Sequence, residues 1–299
     1  MTVSTSAVAA DVRSGVVNHS VSGCGEPITL HTPSNPATAL SPSDVGLPSS
    51  AGRLVAEAVA HHATWLSNIT CVAHSRPGQE QGARSIQYTQ NWSGYVANTS
   101  SPNYVQGFWA VPSVILPLGQ SNAYSSTWPG LGGTSSTSQL IQDGTDDDVS
   151  SSGQTHYFWF ELVPQEGQQE VTNLTPSAGD SVATSASWSN GTATFGLCDY
   201  TKAQCVSGSQ SSPAPGASAE WIVERTQING SFPALADFQT VTFTNAGFDL
   251  TPNGQLAYTP ATGGAGPYDM ETNSGHVLST PGALSSSGDS FVVTWHAAI

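Results

Sequence analysis

From about Tyr88 to the C-terminus, the chain consists of short strand-like segments with no helical stretch between them. The segments are rich in β-branched and aromatic residues, and Gly, Pro, Asn and Ser separate them as turn residues do. Asn190-Gly191 is typical of a two-residue hairpin turn. This pattern predicts an all-β fold, an antiparallel sandwich or barrel. The predicted strands are Trp92–Ala97, Tyr104–Val111, Gln139–Gln142, His156–Val163, Ser181–Trp188, Thr192–Leu197, Ala219–Arg225, Phe238–Thr244 and Ser290–Trp295.

The part of the chain before this region has a different character. Arg53 to Ile69 carries Ala, Glu and apolar residues at helical spacing, which predicts the one clear helix. Thr32 to Ser50 is rich in Pro, Ser and Ala and predicts an irregular linker. We therefore expect two regions: an N-terminal extension over residues 1–88, and a β-sandwich domain over residues 89–299.

The charge balance excludes several classes of partner. Lys and Arg number 6 against 21 Asp and Glu, for a formal net charge of -15. Nucleic acids and anionic membranes both require basic patches, so neither is an expected partner. No stretch is long and apolar enough to span a membrane. Few charges among many Ser, Thr, Gly and Asn fit a secreted protein that works in acid.

The chain has four cysteines, and each half of it contains two. Cys24–Cys71 and Cys198–Cys205 are the simplest pairing, which implies an oxidising compartment. No CxxC pair or zinc spacing of His is present, so we expect no metal site. The N-terminus lacks a basic region followed by an apolar core, so no signal peptide is visible. The expected extracellular location therefore rests on composition and cysteines.

Basic residues and histidines concentrate in the N-terminal region. Two interpretations remain open: a cationic prosegment that covers an anionic cleft, or an ordinary extension packed on the sandwich. In the first, protonation of the histidines near about pH 6 would add positive charge, and stronger acid would weaken the attraction by neutralising the carboxylates. The residues are Arg13, Arg53, Arg76, Arg84, His19, His31, His61, His62 and His74.

The strand Ala219–Arg225 places two carboxylates on one face. Side chains alternate along a strand, so Glu220, Ile222 and Glu224 share a face. Either this face meets water or it carries chemistry. Glu220 is the better candidate for general acid–base work, because a half-buried carboxyl has a raised pKa and exchanges a proton near its working pH.

Two further stretches contain candidate site residues. Gln142 ends a predicted short strand just before a turn, and its uncharged amide keeps its N–H donors in acid, so it suits an oxyanion. Tyr157, Trp159 and Glu161 share one strand face, either as the wall of a binding groove or as a second core layer. Asp146–Asp148 is expected to be a solvated loop, with calcium binding as the alternative.

These stretches together resemble the glutamic peptidase family, the eqolisins. The likeness covers roughly residues 90–299, and its motifs occur in the family's order. The segments that carry it are Asn91-Trp-Ser-Gly-Tyr95, Val105-Gln-Gly-Phe-Trp-Ala-Val-Pro112, Leu140-Ile-Gln-Asp-Gly144, Ala219-Glu-Trp-Ile-Val-Glu224, Ala236-Asp-Phe-Gln-Thr-Val-Thr-Phe-Thr-Asn-Ala246 and Gly288-Asp-Ser-Phe-Val-Val-Thr294.

The resemblance implies a concanavalin-like sandwich of two curved sheets with a substrate cleft on the concave side. It implies that Gln142 and Glu220 form the catalytic dyad, and that Trp128 and Glu161 lie in the cleft. It also implies protein and peptide substrates, no cofactor, and synthesis as a zymogen. One departure is Gly132, where the family often has an acid. Another is the aliphatic residue after Glu161, where an aromatic is usual.

The leading hypothesis is an acid-acting, secreted endopeptidase, expected to be a monomer. A glycoside hydrolase with Glu161 and Glu220 as paired carboxylates is one alternative. A carbohydrate-binding module that uses Trp128, Tyr157 and Trp159 as stacking platforms is another. The presence of both the glutamine and the glutamate segment favours the peptidase.

Overall fold

The computed structural model describes residues 16–21, 23–35, 40–74, 88–134, 139–228, 230–251 and 256–299. Within these ranges the chain is mostly β-strand, and its one α-helix, α1, spans Gly52–Ala60. That helix, nine residues long, falls far short of a membrane-spanning segment. Arg13, Arg76 and Arg84, whose charge supported the prosegment interpretation, lie outside the described residues.

The N-terminal region contributes short strands as well as the helix. Two 3-10 turns, at Pro42–Val45 and Ser49–Ala51, lead into α1. The four strands are β1 (Val16–Val21), β2 (Ile28–Pro33), β3 (Thr64–Trp65) and β4 (Cys71–Ala73).

The prediction of a helix as far as Ile69 is wrong. The helix ends at Ala60, and His62 has a positive φ of 55°, which turns the chain away from the helical path. Trp65 then joins a strand and packs in an apolar cluster. Tertiary packing has overridden a helix-compatible sequence here.

The remaining strands follow in two groups. The first group is β5 (Tyr88–Thr89), β6 (Trp92–Asn98), β7 (Tyr104–Ala110), β8 (Asn122–Ala123), β9 (Ser126–Gly132), β10 (Leu140–Ser150), β11 (Gly153–Val163) and β12 (Glu166–Val171). The second group is β13 (Ser181–Ser189), β14 (Thr192–Asp199), β15 (Gln204–Ser211), β16 (Ser218–Glu224), β17 (Thr240–Asp249), β18 (Gly266–Glu271), β19 (Val277–Pro281) and β20 (Phe291–Trp295).

All nine predicted strands are present, with one large error in length. The segment Gln139–Gln142 is only the start of β10, which continues to Ser150. Asn190 and Gly191 both have positive φ, 49° and 82°, and join β13 to β14 as the predicted two-residue hairpin.

The strands form two packed antiparallel layers. Sheet A has the order β1–β2–β15–β14–β13–β7–β17. Sheet B has the order β4–β12–β11–β10–β9–β16–β6–β18. A small third sheet, with β19 and β20, joins β18 to β17 and so links the layers at one edge. The predicted all-β antiparallel sandwich is confirmed.

The main core lies between the two layers. The rings of Phe160 and Phe195 stack across it with centroids 4.5 Å apart. The indole N–H of Trp221 donates to the carbonyl of Gln106 at 2.7 Å. Because Trp221 faces this core, its neighbours Glu220 and Ile222 point to the opposite face of sheet B.

The N-terminal region packs on the outer face of sheet A. Leu54 and Val55 of α1, together with Trp65, form an apolar cluster with Tyr104 and Phe108 of the sheet. Polar contacts join the same surfaces. The Ser50 hydroxyl donates to Asp249 at 2.9 Å, and the Tyr200 hydroxyl donates to the carbonyl of Leu54 at 3.1 Å.

Both predicted disulfides are present. Cys24–Cys71 closes a loop within the N-terminal region, with a sequence separation of 47. Cys198 and Cys205 lie directly opposite each other on β14 and β15, and their disulfide closes that hairpin. This pairing supports an oxidising compartment.

Candidate active site

Gln142 and Glu220 project from the same face of sheet B on either side of β9. Each residue pairs with Gly130, Gln142 from β10 and Glu220 from β16. Directly paired residues in a sheet share a face, so both side chains point away from the main core. Their backbones are about 10 Å apart, since neighbouring strands are separated by about 4.8 Å. Gly130 contributes no side chain of its own between them, and the Trp128 ring lies over this position.

The Glu220 carboxyl is fully buried. The Ser218 hydroxyl donates to its Oε1 over 3.4 Å, and Oε2 accepts no hydrogen bond from the described residues. Burial raises the pKa of Glu220 well above its usual range, and the Ser218 contact offsets only part of this. Such a carboxyl holds its proton tightly while it is enclosed.

The Gln142 side chain is bound on one side and free on the other. Its Nε2 donates to Oε2 of Glu161, 2.6 Å away on β11, while its Oε1 has no hydrogen-bond partner among the described residues. The expectation that Gln142 ends a strand before a turn is wrong, because it is the third residue of the long strand β10. The side chain reaches the site because it lies on the outward face of that strand.

An aromatic cluster adjoins the pair. It is defined by the buried side chains Trp92, Val96, Trp128, Leu140, Tyr157, Trp159 and Ile222. Glycines make room for its central ring: a Cβ at Gly130 would come within 2.7 Å of the Trp128 ring, and one at Gly144 within 2.6 Å of the Trp128 Cβ. Glu224 accepts a hydrogen bond from the Trp128 indole N–H at 2.8 Å.

A polar group closes the far end of this face. Tyr157 donates from its hydroxyl to buried Asp146 at 2.7 Å, and Gln168 donates to the same carboxylate at 3.2 Å. The interpretation of Asp146–Asp148 as a solvated loop is wrong, since all three belong to β10. Asp147 faces the other way and contacts Nδ1 of His156 at 2.7 Å.

Because side chains alternate along β10, the carboxylates of Asp146–Asp148 do not all point to one face and do not converge on one calcium ion. Within the described ranges, no group of three His, Cys, Asp or Glu side chains is placed to hold a metal ion. The sequence analysis did not predict that Asp146 and Gln168 lie at this site, or that Glu224 binds the Trp128 indole. The one available signal was the spacing of Asp146, which is four residues from Gln142 and so on the same face if the strand is long.

Comparison with known proteins identifies the family. The family model described as the Peptidase A4 family matches residues 90–295. Aspergillopepsin-2 of Aspergillus niger is 32% identical over 239 residues, which covers 72% of this chain and 80% of that protein. The chain belongs to the peptidase A4 family. It is a glutamic-type endopeptidase, which confirms the resemblance to the eqolisins.

Two other relatives agree with this A4 assignment. Scytalidopepsin B of Scytalidium lignicola is 30% identical over 193 residues, 60% of this chain and 70% of that protein. Aspergilloglutamic peptidase from A. niger has a crystal structure that matches with a TM-score of 0.50 at 28% identity, over 58% of this chain and 99% of that one.

A further crystal structure, scytalido-glutamic peptidase with a transition state analog inhibitor, shares the fold. Its TM-score is 0.59 at 24% identity, and the match covers 69% of this chain and 98% of that one. The A4 match begins at residue 90, so the described N-terminal elements from β1 to β4 lie outside it.

At Gly132, where the resemblance to the family leads us to expect an acid, the backbone has a conformation that favours glycine. This residue has a φ of 91°, and a Cβ there would lie 2.1 Å from the carbonyl oxygen of Gln139 and 2.4 Å from the backbone nitrogen of Gly216. No side chain fits that backbone. The local path of β9 therefore accounts for the absence of an acid at this position.

Proposed function

We propose that this A4 peptidase acts in acid outside the cell, and that Gln142 and Glu220 are its catalytic dyad. The observation that carries the proposal is their common pairing with Gly130. It gives two polar side chains on one face, with a glycine between them over which the Trp128 ring lies. Each side chain also carries a buried oxygen without a hydrogen bond from the described residues. Because such atoms are costly in a folded protein, they mark where the groups of a substrate and a water would bind.

The proposed reaction is hydrolysis by an activated water. Ionised Glu220 takes a proton from the water, whose oxygen attacks the carbonyl carbon of the scissile peptide bond. The carbonyl oxygen gains the negative charge of a tetrahedral intermediate. Glu220 then returns the proton to the nitrogen, the C–N bond breaks, and a carboxylic acid and an amine leave.

Gln142 would stabilise the charge that develops in this reaction. Its amide carries two N–H donors, of which Glu161 engages one. The second N–H is free to donate to the oxyanion, and Oε1 is free to accept a hydrogen bond from the attacking water. Because an amide does not titrate, Gln142 itself does not lose its donors or its acceptor in acid.

The enclosure of the dyad supports a closed form of the enzyme. Glu220 is 0% exposed and Gln142 is 1% exposed, so a polypeptide substrate has no access to either in this structure. Burial is also the main reason for the raised pKa of Glu220. Opening the site to water would lower that pKa and supply the ionised base. This arrangement supports a zymogen that must open before it acts.

Trp128, Tyr157, Trp159 and Glu161 would form the substrate-binding surface. All four side chains lie on the dyad face of sheet B, and the rings of Trp128, Tyr157 and Trp159 border the polar pair. One related eqolisin structure is a complex with the tripeptide Ala-Ile-His. We extend peptide binding at this surface to the present chain by analogy with that complex.

The disulfides and the division of the chain support secretion and processing. Cys24–Cys71 and Cys198–Cys205 would persist only in an oxidising compartment. We propose residues 89–299 as the catalytic domain and residues 1–88 as the N-terminal extension or prosegment. The start of the A4 match at residue 90 supports this boundary.

The test is digestion of an unfolded protein from about pH 2 to pH 7. Wild type, Glu220→Gln and Gln142→Ala would be compared, with the enzyme's own N-terminus followed by mass spectrometry. We expect cleavage only in acid, loss of at least a hundredfold in activity in both variants, and processing only in wild type. Glu271→Gln on β18 is the matched control, since Glu271 pairs with Val277 of β19 in the small third sheet and its substitution removes one carboxylate away from the dyad.

Full activity in folded Glu220→Gln would end the dyad proposal.

The carbohydrate alternatives have less support. The strands of Glu161 and Glu220 are separated by both β10 and β9.

A further inference from the structure

We infer that Glu161 is a positioning residue that fixes the orientation of the Gln142 amide. The inference rests on the proposed role of Gln142 and goes beyond it, because it gives Glu161 a function through Gln142 rather than through the substrate. The two residues are direct cross-strand partners on β10 and β11. Their side chains share the dyad face and meet at 2.6 Å.

While Glu161 is ionised, the contact allows only one orientation of the amide. An ionised carboxylate has lone pairs and no donor, so it binds the NH2 end of a glutamine and repels the carbonyl end. A distance of 2.6 Å is characteristic of such a charge-assisted hydrogen bond. With Nε2 held towards β11, Oε1 of Gln142 is turned away from Glu161.

The strand holds Glu161 rigidly in this position. The residues on either side of it, Phe160 and Leu162, are both buried in the main core and prevent the strand from rotating. A β-bulge with β12 lies at the same point. Phe160 pairs with Gln169 and Leu162 with Glu166, so one residue of β11 faces two of β12. The extra residue belongs to β12, whereas the pairing of β11 with β10 runs through Glu161 and Gln142 without a shift, so the two side chains stay opposite each other.

The fixed orientation matters because the two ends of the amide are not interchangeable. Oε1 can accept a hydrogen bond from the attacking water, whereas only Nε2 can donate to the oxyanion. Without Glu161 the amide is free to rotate by half a turn, and the donor and acceptor exchange places. The expected consequence is a lower kcat with little change in KM, because binding of the substrate in its ground state does not depend on this orientation.

The test is a double-mutant cycle with wild type, Glu161→Gln, Gln142→Ala and the double variant, with Glu271→Gln as the control. We expect Glu161→Gln to lower kcat by at least about tenfold, with KM within about threefold of wild type. Adding Glu161→Gln to Gln142→Ala should change kcat by less than about twofold, because the residue it orients is gone. Glu161→Asp, which keeps the charge but shortens the side chain, should lie between wild type and Glu161→Gln.

Two outcomes would overturn the inference. If the fold-losses in kcat from the two single substitutions multiply in the double variant, Glu161 acts independently of Gln142. The same conclusion follows if Glu161→Gln changes KM rather than kcat. If instead Gln142→Ala keeps full activity, the proposed dyad fails, and that result is distinct from failure of the positioning role alone.

A second readout does not depend on turnover. Side-chain amide NMR of the full chain, with the Gln142 signal assigned by its loss in Gln142→Ala, should show a downfield Nε2 proton in wild type and in Glu271→Gln. The downfield position should be lost in Glu161→Gln. An unchanged Gln142 signal in folded Glu161→Gln would show that the carboxylate does not hold the amide.

Discussion

The imidazole of His74 stacks on the ring of Tyr157, with centroids 5.2 Å apart and planes 4° from parallel. The same imidazole contacts Glu170 through Nε2 at 2.8 Å. Tyr157 in turn donates to Asp146 on the dyad face. The N-terminal region therefore contacts sheet B directly, in addition to packing on the outer face of sheet A.

A chain made without residues 1–74 should have a much less stable sandwich, whereas a segment that is cleaved after folding can stay bound to sheet A through the same contacts. The deletion uncovers an apolar surface on sheet A that includes Tyr104, Phe108 and Tyr200, each no more than 6% exposed in the full chain. Since burying one large apolar side chain contributes about 1.5–3 kcal/mol, the summed loss is comparable to the stability of a domain. We expect a truncated protein that aggregates or melts well below the full chain, measured by thermal unfolding and gel filtration. An equal Tm would contradict this.

Loss of the Cys24–Cys71 disulfide should loosen the N-terminal region. The bridge spans 47 residues, and closing a loop of that length stabilises the folded state by about 4 kcal/mol in the chain-entropy model. In Cys24→Ala/Cys71→Ala we expect hydrogen exchange to become faster than in wild type in β1, β2 and α1, and to change less in β16. Exchange rates in β1, β2 and α1 equal to those of wild type would show that the packing alone fixes this region.

Gly130→Ala should reduce activity while the fold remains. The added Cβ would approach the Trp128 ring to 2.7 Å and Leu140 to 3.2 Å, so the indole must shift beside the dyad. We expect a cost of about 1–3 kcal/mol in unfolding free energy and at least a tenfold lower kcat/KM. Gly266→Ala on β18 of the same sheet is the matched control. A Cβ there meets nothing within 4 Å, so both values should stay near wild type. Equal activity in the two variants would contradict the proposed role of Gly130.

Asp143 should make the protein less stable as the pH rises. The side chain follows Gln142 but points into the main core, where burial raises its pKa well above its usual range. The nearby Thr184 hydroxyl and Gly196 N–H offset this only in part. A carboxyl whose pKa is raised by folding stabilises the protein below its unfolded pKa, near about 4. That stability is lost as the pH climbs towards the folded pKa, at a rate of about 1.4 kcal/mol for each pH unit.

The measurement for Asp143 is urea unfolding of wild type and Asp143→Asn at pH 3 and pH 7. We expect the two proteins to differ little at pH 3, where the acid is neutral, and the variant to be the more stable at pH 7. Some dependence should remain in the variant, because burial also raises the pKa of Asp147, to about 6, despite its contact with His156. A parallel decline in both proteins would exclude Asp143 as a cause.

The sequence predicted the sandwich and the outward face of β16 because both depend on local alternation. Glu220, Ile222 and Glu224 share a face in any strand, and Trp221 between them needed a core. The length of β10 was not predictable in this way. Gly144 and three consecutive aspartates are typical of an exposed turn, yet pairing with β9 and β11 on both sides holds them in a strand.

The end of the helix and the network around the site were not predicted, because both depend on contacts between distant parts of the chain. The end of α1 at Ala60 depends on the contacts of Trp65 with residues more than a hundred positions away. Likewise, the contacts of Asp146 with Tyr157 and Gln168 arise only when three strands are placed side by side. Such long-range contacts are not encoded in the local pattern of any one segment.

The short strands of the N-terminal region determine which sheet edges a polypeptide substrate could pair with. β4 lies along β12 at the margin of sheet B, and β2 and β3 lie along β15 in sheet A. An uncovered margin offers a row of unpaired N–H and C=O groups to any extended chain. A peptidase works among unfolded polypeptides, which are that kind of chain. In sheet B the outer strand is then β4, which has three residues against the six of β12, so less edge is left for a substrate chain to pair with.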